Sequence, residues 1–395
     1  SALSGVGKTV GKDSVLWSKR TIEVCSAYKK GKALLHFGAV DWQCDVYVNG
    51  NKIGSHQGGY DPFSFDISAA LKKGKQQEIT IRVWDPSDEG PQPRGKQIKN
   101  PHGIWYTPVT GIWQTVWLEN VPSTYIAATA QTPDIDKQSL SVKVDIENLQ
   151  PGDVVKVTAY DGQQQVGEQI VKDKEEVALT ISNPKLWSPA NPFLYDLKYT
   201  VTRKGKVIDE AGSYFAMRKI SEAPDNNGIQ RMLLNNEFVF QYGPLDQGWW
   251  PDGLYTAPTD EALKYDVEQT KAMGFNMIRK HVKVEPARWY YHCDKLGMLV
   301  WQDMPSGDMG GNSWDMRVGQ ISGKNLDKER SAESEAIYRT EWKAITNALH
   351  NFPSIVVWVP FNEAWGQFKT KEITEWTMKL DPSRLVNEAS GGNFF

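Results

Sequence analysis

Apolar and polar side chains alternate with a period of two residues through the first part of the chain. The alternation is clear over residues 42–48, which end at the hairpin signal Asn49-Gly50, and again over residues 79–84. No helical period separates these strands. Residues 1–121 are therefore predicted to form an antiparallel β-sandwich of the jelly-roll kind.

The segment 86–102 is rich in proline, glycine and charged residues and predicts a long loop. We expect the next residues, His102 to Tyr106, to reach a functional pocket. The alternative is that this loop only packs between domains.

Residues 122–220 repeat the two-residue alternation with shorter strands and frequent turns, such as Pro151-Gly152. About 100 residues of this pattern predict an immunoglobulin-like sandwich. No pair of cysteines is placed to join its two sheets.

From residue 221 onward, strands alternate with helices. The pattern predicts a short buried strand at 238–242, a helix from the cap residue Thr259 to Gly274, a strand at 275–279, a helix from Pro286 to Gly297, a strand at 298–302, a helix at 331–350 and strands at 355–359 and 385–387. This order predicts a parallel sheet. A (β/α)₈ barrel needs about 250 residues and eight strands, so residues 221–395 form either an open sheet or the N-terminal part of a TIM barrel.

Composition excludes several classes of partner. The net charge is −3, from 45 Lys and Arg against 48 Asp and Glu, so no basic field indicates nucleic acid. No apolar run is long enough to span a membrane. The three cysteines and six histidines are too scattered to predict a disulfide framework or a metal site. We therefore expect no nucleic-acid or membrane partner, no metal and no cofactor.

Polar residues at the carboxyl ends of the predicted parallel strands are the candidate site, because catalytic groups cluster there. Paired carboxylates are the groups that glycosidic-bond hydrolysis requires, and indoles stack against sugars; the chain carries 16 Trp. The alternatives are that each acid caps a helix or pairs with a cation, and that the indoles form cores. The residues at these ends are Asp246, Arg279, His281, Asp303, Asn362, Glu363 and Glu388, with Trp301, Trp358 and Trp365 beside them.

The order of the three predicted domains resembles glycoside hydrolase family 2, the group of β-galactosidases, β-glucuronidases and β-mannosidases. The resemblance covers essentially the whole chain. The matching segments are Leu16 to Arg20, Asp45 to Gly50 with Gly58 to Phe63, Gly111 to Glu119, Leu186 to Tyr195, and Phe215 to Ile220. In the third of these, Gln114 stands where the family usually has arginine.

The resemblance implies an exo-acting, retaining β-glycosidase in which Glu363 is the acid/base and Asn362 contacts the sugar 2-hydroxyl. It implies substrate contacts from the rim residues Asp246, Arg279, His281, Trp301, Asp303 and Trp365. The family's nucleophile lies on barrel strand seven, which by our strand count comes after residue 395. We therefore expect this chain to be a piece of a longer protein and to be inactive by itself.

The sugar is less well defined. Arg279-Lys280-His281-Val282-Lys283 keeps only part of the pattern that galactosidases and glucuronidases carry after strand two, and the mannosidase pattern is absent. We expect a β-galactosidase, with β-glucuronidase or β-mannosidase specificity as alternatives. A non-catalytic carbohydrate-binding protein and a scaffold of β-sandwiches are further alternatives. The oligomeric state, a homo-oligomer included, and the compartment, with export as one option, stay open.

Overall fold

The structure, a computed structural model, describes residues 9–307, 327–362 and 365–390. Its first part is a β-sandwich made entirely of antiparallel pairs, as the alternation predicted. One sheet has the strand order β1-β7-β4-β5, a second has the order β6-β2-β9, and β3 pairs with β8. The strands are β1 (Leu16–Glu23), β2 (Lys32–Phe37), β3 (Val40–Asp41), β4 (Gln43–Val48), β5 (Asn51–Gln57), β6 (Phe63–Asp66), β7 (Gln76–Trp84), β8 (Gly111–Ile112) and β9 (Val116–Val121).

A second antiparallel sandwich follows. Its three-stranded sheet has the order β10-β11-β14 and its four-stranded sheet the order β13-β12-β15-β16. Val142, Val157 and Tyr199 are buried between the two sheets. The strands are β10 (Tyr125–Asp134), β11 (Ser139–Glu147), β12 (Asp153–Asp161), β13 (Gln164–Val171), β14 (Glu176–Thr180), β15 (Tyr195–Arg203) and β16 (Lys206–Phe215).

The third part begins with the hairpin sheet β17-β18-β19 and continues as a parallel sheet of order β20-β21-β22-β23-β25. A short parallel pair, β24 with β26, extends beyond it. The predicted parallel sheet with intervening helices is thus confirmed. Its elements are β17 (Ile220–Pro224), β18 (Gln230–Leu234), β19 (Glu237–Phe238), β20 (Leu245–Asp246), α1 (Asp260–Ala272), β21 (Met277–Lys280), α2 (Ala287–Leu296), β22 (Leu299–Asp303), α3 (Ala332–Leu349), β23 (Ile355–Val359), β24 (Phe361–Asn362), α4 (Thr370–Leu380), β25 (Leu385–Val386) and β26 (Ala389–Ser390).

Local capping fixes the helix ends where the sequence predicted them. The Thr259 side chain accepts a hydrogen bond from the Ala262 N–H at the start of α1. Gly297 ends α2 in the left-handed conformation, with φ +75°. Pro286 is the N-cap of α2 rather than its first helical residue, because its ψ of 148° is still extended.

The predicted buried strand at 238–242 is wrong. Phe240 and Tyr242 are 71% and 58% exposed. They stack on each other, and Tyr242 also packs on Phe275 at the surface. The chain turns back at 235–236 to pair β19 with β18, so the first parallel strand is β20. Asp246 therefore lies within this strand, and not after it.

Buried polar contacts join the three parts. Arg218, between β16 and β17, donates to the carbonyl oxygens of Pro353, Ile355 and Ser383 around the start of β23 and β25. From α3, Glu341 Oε1 accepts from Trp42 Nε1 at 3.2 Å and from the Gly59 N–H at 2.9 Å in the first sandwich. The sandwiches are therefore fixed to the helical part by hydrogen bonds as well as by apolar packing. None of the helices described is both long and apolar enough to cross a membrane.

Candidate active site

Asp303, at the end of β22, is the centre of a buried polar network. Its carboxylate accepts from Arg279 Nε and Nη2 at 2.9 and 2.8 Å and from His281 Nδ1 at 2.9 Å. The Val282 N–H adds a fourth bond at 3.2 Å. Burial alone would raise the pKa of Asp303, but the Arg279 charge and the bond from His281 outweigh it and lower that pKa. Asp303 is therefore a carboxylate that holds two rim side chains.

The tautomer of His281 follows from this contact. Nδ1 must carry the proton that it donates to Asp303, which leaves Nε2 as an acceptor in the neutral ring. Burial lowers the pKa of His281 more than Asp303 raises it, and the charges of Arg279 and Lys96 lower it further. His281 is thus a neutral, oriented imidazole.

Arg279 also orients Asn362. Its Nη2 donates to Asn362 Oδ1 at 3.0 Å, so the amide oxygen faces the guanidinium. The two N–H donors of the planar amide consequently point to the other side. Asn362 is 5% exposed, and its carbonyl oxygen accepts from the Trp365 N–H at 3.0 Å. Glu363 itself lies outside the described residues.

A second charged network lies on the opposite side of β21, because Arg279 and Lys280 are consecutive strand residues. Lys280 Nζ lies 2.5 Å from Asp246 Oδ2 and 2.9 Å from Glu285 Oε1, and Lys283 Nζ lies 3.0 Å from Glu285 Oε1. The Lys280 charge keeps the pKa of Asp246 below its usual value despite burial. Asp246 is therefore paired in a balanced set of two cations and two anions.

The long loop of the first sandwich reaches this rim. The N–H groups of Arg94 and Gly95 donate to the Ser306 carbonyl oxygen at 3.3 and 3.1 Å. Trp105 meets Trp365 edge to face, with ring centroids 5.3 Å apart. The Arg94 guanidinium lies 5.4 and 5.9 Å from these two rings.

The end of the same loop makes a further contact. Tyr106 stacks on Trp249, which follows β20, at a centroid distance of 4.5 Å. His102 is exposed. Of the predicted loop segment, residues 105 and 106 thus pack on the helical part of the protein.

The three tryptophans predicted beside the rim have different positions. Trp365 is 2% exposed and packs against the loop from the first sandwich. Trp301 lies two residues before Asp303 in β22, farther from the carboxyl end of the strand, and its Nε1 donates to Gln241 Oε1 at 2.6 Å. Trp358 is buried against Trp342 of α3. The structure therefore brings Trp365 to the network and leaves Trp301 and Trp358 out of it.

Five charged residues near the rim were not predicted from the sequence to belong to the site. The charge-rich loop and the unusual run after strand two were the signals that could have found them. In the described part of the chain, no three His, Cys, Asp or Glu side chains are arranged to hold a metal ion. The five residues are Arg94, Lys96, Lys280, Lys283 and Glu285.

Three family models match this chain. They are the glycosyl hydrolases family 2 sugar-binding domain over residues 8–122, the glycosyl hydrolases family 2 model over 124–218, and the family 2 TIM barrel domain over 256–393. Together they include Arg279, His281, Asp303, Asn362 and Trp365, whereas Gln241, Asp246 and Trp249 lie between the second and third models.

Curated relatives carry two activity names. A provisionally named β-glucuronidase of Formosa agariphila is 29% identical over 93% of this chain and 44% of its own length. A β-galactosidase of Thermoanaerobacter pseudethanolicus is 26% identical over 94% and 48%. A β-glucuronidase of Bacteroides fragilis is 24% identical over 91% and 52%. The chain thus spans about half the length of these relatives.

Solved structures share the fold. An FMN-binding β-glucuronidase from Faecalibacterium prausnitzii superposes with a TM-score of 0.77 at 20% identity, over 94% of this chain and 56% of that one. A β-glucuronidase of Parabacteroides merdae gives 0.73 at 21% identity, over 94% and 47%. The architecture is therefore a jelly-roll sandwich, an immunoglobulin-like sandwich and part of a TIM barrel.

Proposed function

This chain belongs to glycoside hydrolase family 2, and from that premise we propose that it carries the acid/base part of an exo-acting, retaining β-glycosidase. The observation that carries the proposal is the Asp303 network: Asp303 holds Arg279 and His281, Arg279 orients Asn362, and Asn362 immediately precedes Glu363 in the sequence. A preorganised set of donors and acceptors of this kind is what sugar hydroxyls require.

Each residue then has a role in the proposed reaction. Glu363 protonates the leaving oxygen and later activates water. The outward N–H groups of Asn362 donate to the sugar 2-hydroxyl, and Nε2 of His281 accepts from a neighbouring hydroxyl. Arg279 and Asp303 hold these two side chains in place.

The remaining predicted residues shape the surroundings. Trp365 packs edge to face on Trp105 of the first sandwich and supports Asn362, whose carbonyl oxygen accepts from the Trp365 N–H. Asp246 anchors β20 through Lys280. Trp301, two residues before Asp303, supports β22 through its hydrogen bond to Gln241. Retention needs a second carboxylate about 5 Å from the first, and we propose for the whole protein that it comes from a barrel strand later than β25.

Two sugars are candidates. A β-galactoside is the substrate that we expected from the sequence. A β-glucuronide is the second candidate, and it is supported by the names of the relatives from Formosa agariphila and Bacteroides fragilis.

The test uses the product of the whole gene. We would assay aryl β-galactoside, β-glucuronide, β-mannoside, β-glucoside and α-arabinoside with the unmodified enzyme, Glu363→Gln and the control Glu375→Gln, which changes an exposed glutamate of α4. We expect turnover of one glycoside, a loss of about 10²-fold or more for Glu363→Gln, and near-normal activity for the control.

Two outcomes would overturn the proposal. Unchanged turnover in Glu363→Gln would remove the acid/base assignment. Silence across the panel, with sugar binding still measurable by calorimetry, would support the carbohydrate-binding protein instead.

A further inference from the structure

The outer face of the β1-β7-β4-β5 sheet carries two aromatic rings among polar side chains. The strand register places Trp17, Arg82, Asp45 and Ser55 in one row across the four strands. Lys19, Thr80, Tyr47 and Lys52 form the next row. The alternate residues, such as Ile81 and Val46, point into the sandwich core. We call the eight residues of these two rows the outer aromatic face.

Trp17 and Tyr47 form the apolar part of this face. Their ring centroids lie 6.0 Å apart, with planes inclined by 34°. Trp17 is 57% exposed. Trp17 lies on β1, the edge strand of this sheet. An indole left in water beside a second ring is a typical binding feature, because its apolar surface and polar N–H both remain available to a ligand.

Hydrogen-bonding groups lie directly beside the rings. Asp45 Oδ1 accepts from Ser55 Oγ at 2.7 Å and lies 2.7 Å from Lys52 Nζ. Asp45 Oδ2 lies 3.5 Å from Arg82 Nη1. Lys19, the third cation of the face, lies 2.6 Å from Glu78 Oε2 on the neighbouring strand β7. Because each of the three cations has a carboxylate partner, this surface offers fixed donors and acceptors without a strong field of either sign.

The rest of the sandwich leaves this face accessible. The sandwich packs against the TIM barrel through residues at the ends of its strands, such as Ala39, Tyr60 and Trp113, which belong to the barrel's apolar cluster.

We propose that the outer aromatic face binds a neutral, β-linked polysaccharide chain. The rings of Trp17 and Tyr47 stack against the apolar faces of sugar units, and Arg82, Asp45 and Lys52 bond their hydroxyls. Binding of the polymer here would raise the local concentration of its chain ends for the reaction. The proposal rests on the proposed function only in taking a carbohydrate as the ligand.

The experiment measures binding by this chain and needs no catalysis. The chain is run in native gels that contain soluble β-1,4-galactan, xyloglucan, galactomannan or, as an anionic comparison, polygalacturonate. We expect at least one neutral polymer to retard it, with about tenfold weaker binding for Trp17→Ala and Tyr47→Ala. Trp17→Phe keeps a ring and should retain most of the binding.

A matched control lies on the other sheet of the same sandwich. Trp117 is 46% exposed and stacks on His36; Trp117→Ala should therefore migrate like the unmodified chain in every gel. Circular dichroism confirms that each variant is folded, which the exposed position of Trp17 favours.

Several results would overturn the proposal. These are no retardation by any neutral polymer, equal retardation of Trp17→Ala, or retardation by polygalacturonate alone. Self-association that Trp17→Ala abolishes would identify the face as an interface between copies. Failure of the proposed function is a separate result, since it is measured by aryl-glycoside hydrolysis, which involves no polymer.

Discussion

Asp303 organises the rim because it is buried and charged at once. Removing one partner of a buried ion pair leaves the other charge without compensation, which costs much more than losing an exposed pair. Arg279 is that partner here, with 13% of its side chain exposed against 1% for Asp303.

Replacement of Asp303 by asparagine tests this directly. We expect Asp303→Asn to lower the free energy of unfolding by about 3 kcal/mol or more. Because the pKa of Asp303 is lowered in the folded protein, its contribution is present above the unfolded pKa and is lost as the pH falls. The deficit of the variant should therefore shrink below about pH 4. Urea unfolding at several pH values measures both effects.

An exposed pair of the same geometry is the control. Arg288 donates to both oxygens of Asp260, with 58% and 41% of the two side chains exposed. Asp260→Asn should cost below about 1 kcal/mol. Equal costs for the two variants would contradict the central role of Asp303.

At the residue scale, the sequence showed which side chains lie at the carboxyl edge of the parallel sheet but not which residues they contact. The strand ends predicted that Arg279, His281 and Asp303 lie together, and the structure confirms their proximity. The hydrogen bond from Trp301 to Gln241 could not be predicted, because alternation indicates the face of a strand on which a side chain lies and not the residue that it contacts.

Helix ends were the most predictable elements. Capping by Thr259 and Gly297 depends on residues within one turn, so the local sequence suffices. The strand at 238–242 was mispredicted for the opposite reason: apolar alternation alone cannot show that the chain first closes a hairpin with β18.

Gly297 couples a helix end to the middle sandwich. A Cβ at this position would lie 2.8 Å from the Pro189 carbonyl oxygen, and the backbone is left-handed. We expect Gly297→Ala to cost about 2–4 kcal/mol, from the left-handed strain and the clash together. Thermal unfolding of the purified chain measures the loss.

Gly274, after α1, separates the two causes. It is also left-handed, with φ +91°, but a Cβ there would meet no atom within 4 Å. Gly274→Ala should therefore cost only about 1–2 kcal/mol. Similar losses at both glycines would mean that the contact with Pro189 contributes nothing.

For the whole molecule, the sequence predicted three units but not how they attach. The contacts of Glu341 with Trp42 and Gly59 join residues almost 300 positions apart, and no local pattern encodes such a pairing. Burial raises the pKa of Glu341 to about 8, with Asp61 and Asp41 as nearby acids. The attachment of the first sandwich is therefore sensitive to pH.

The sign of this sensitivity follows from the raised pKa. The stability that the protonated Glu341 contributes is complete below the unfolded pKa near 4.5 and is lost as the pH rises toward 8. Glu341→Gln keeps an acceptor for Trp42 and Gly59 but carries no charge at any pH. We expect it to unfold several degrees above the unmodified chain at pH 9, and to show a much smaller difference at pH 5. Scanning calorimetry at both pH values tests this; an identical pH dependence in the variant would contradict it.

The bonds of Arg218 also have a consequence for biosynthesis. Its partner Ser383 follows 165 positions later, so at typical ribosomal speeds roughly 10–30 s separate the synthesis of the two residues. Both sandwiches can be complete in that interval while the guanidinium between them and the barrel still lacks its carbonyl partners. The nascent chain would thus pass through a stage in which the two sandwiches are folded and the barrel part is not yet attached to them. This is the stage at which we expect a chaperone to bind.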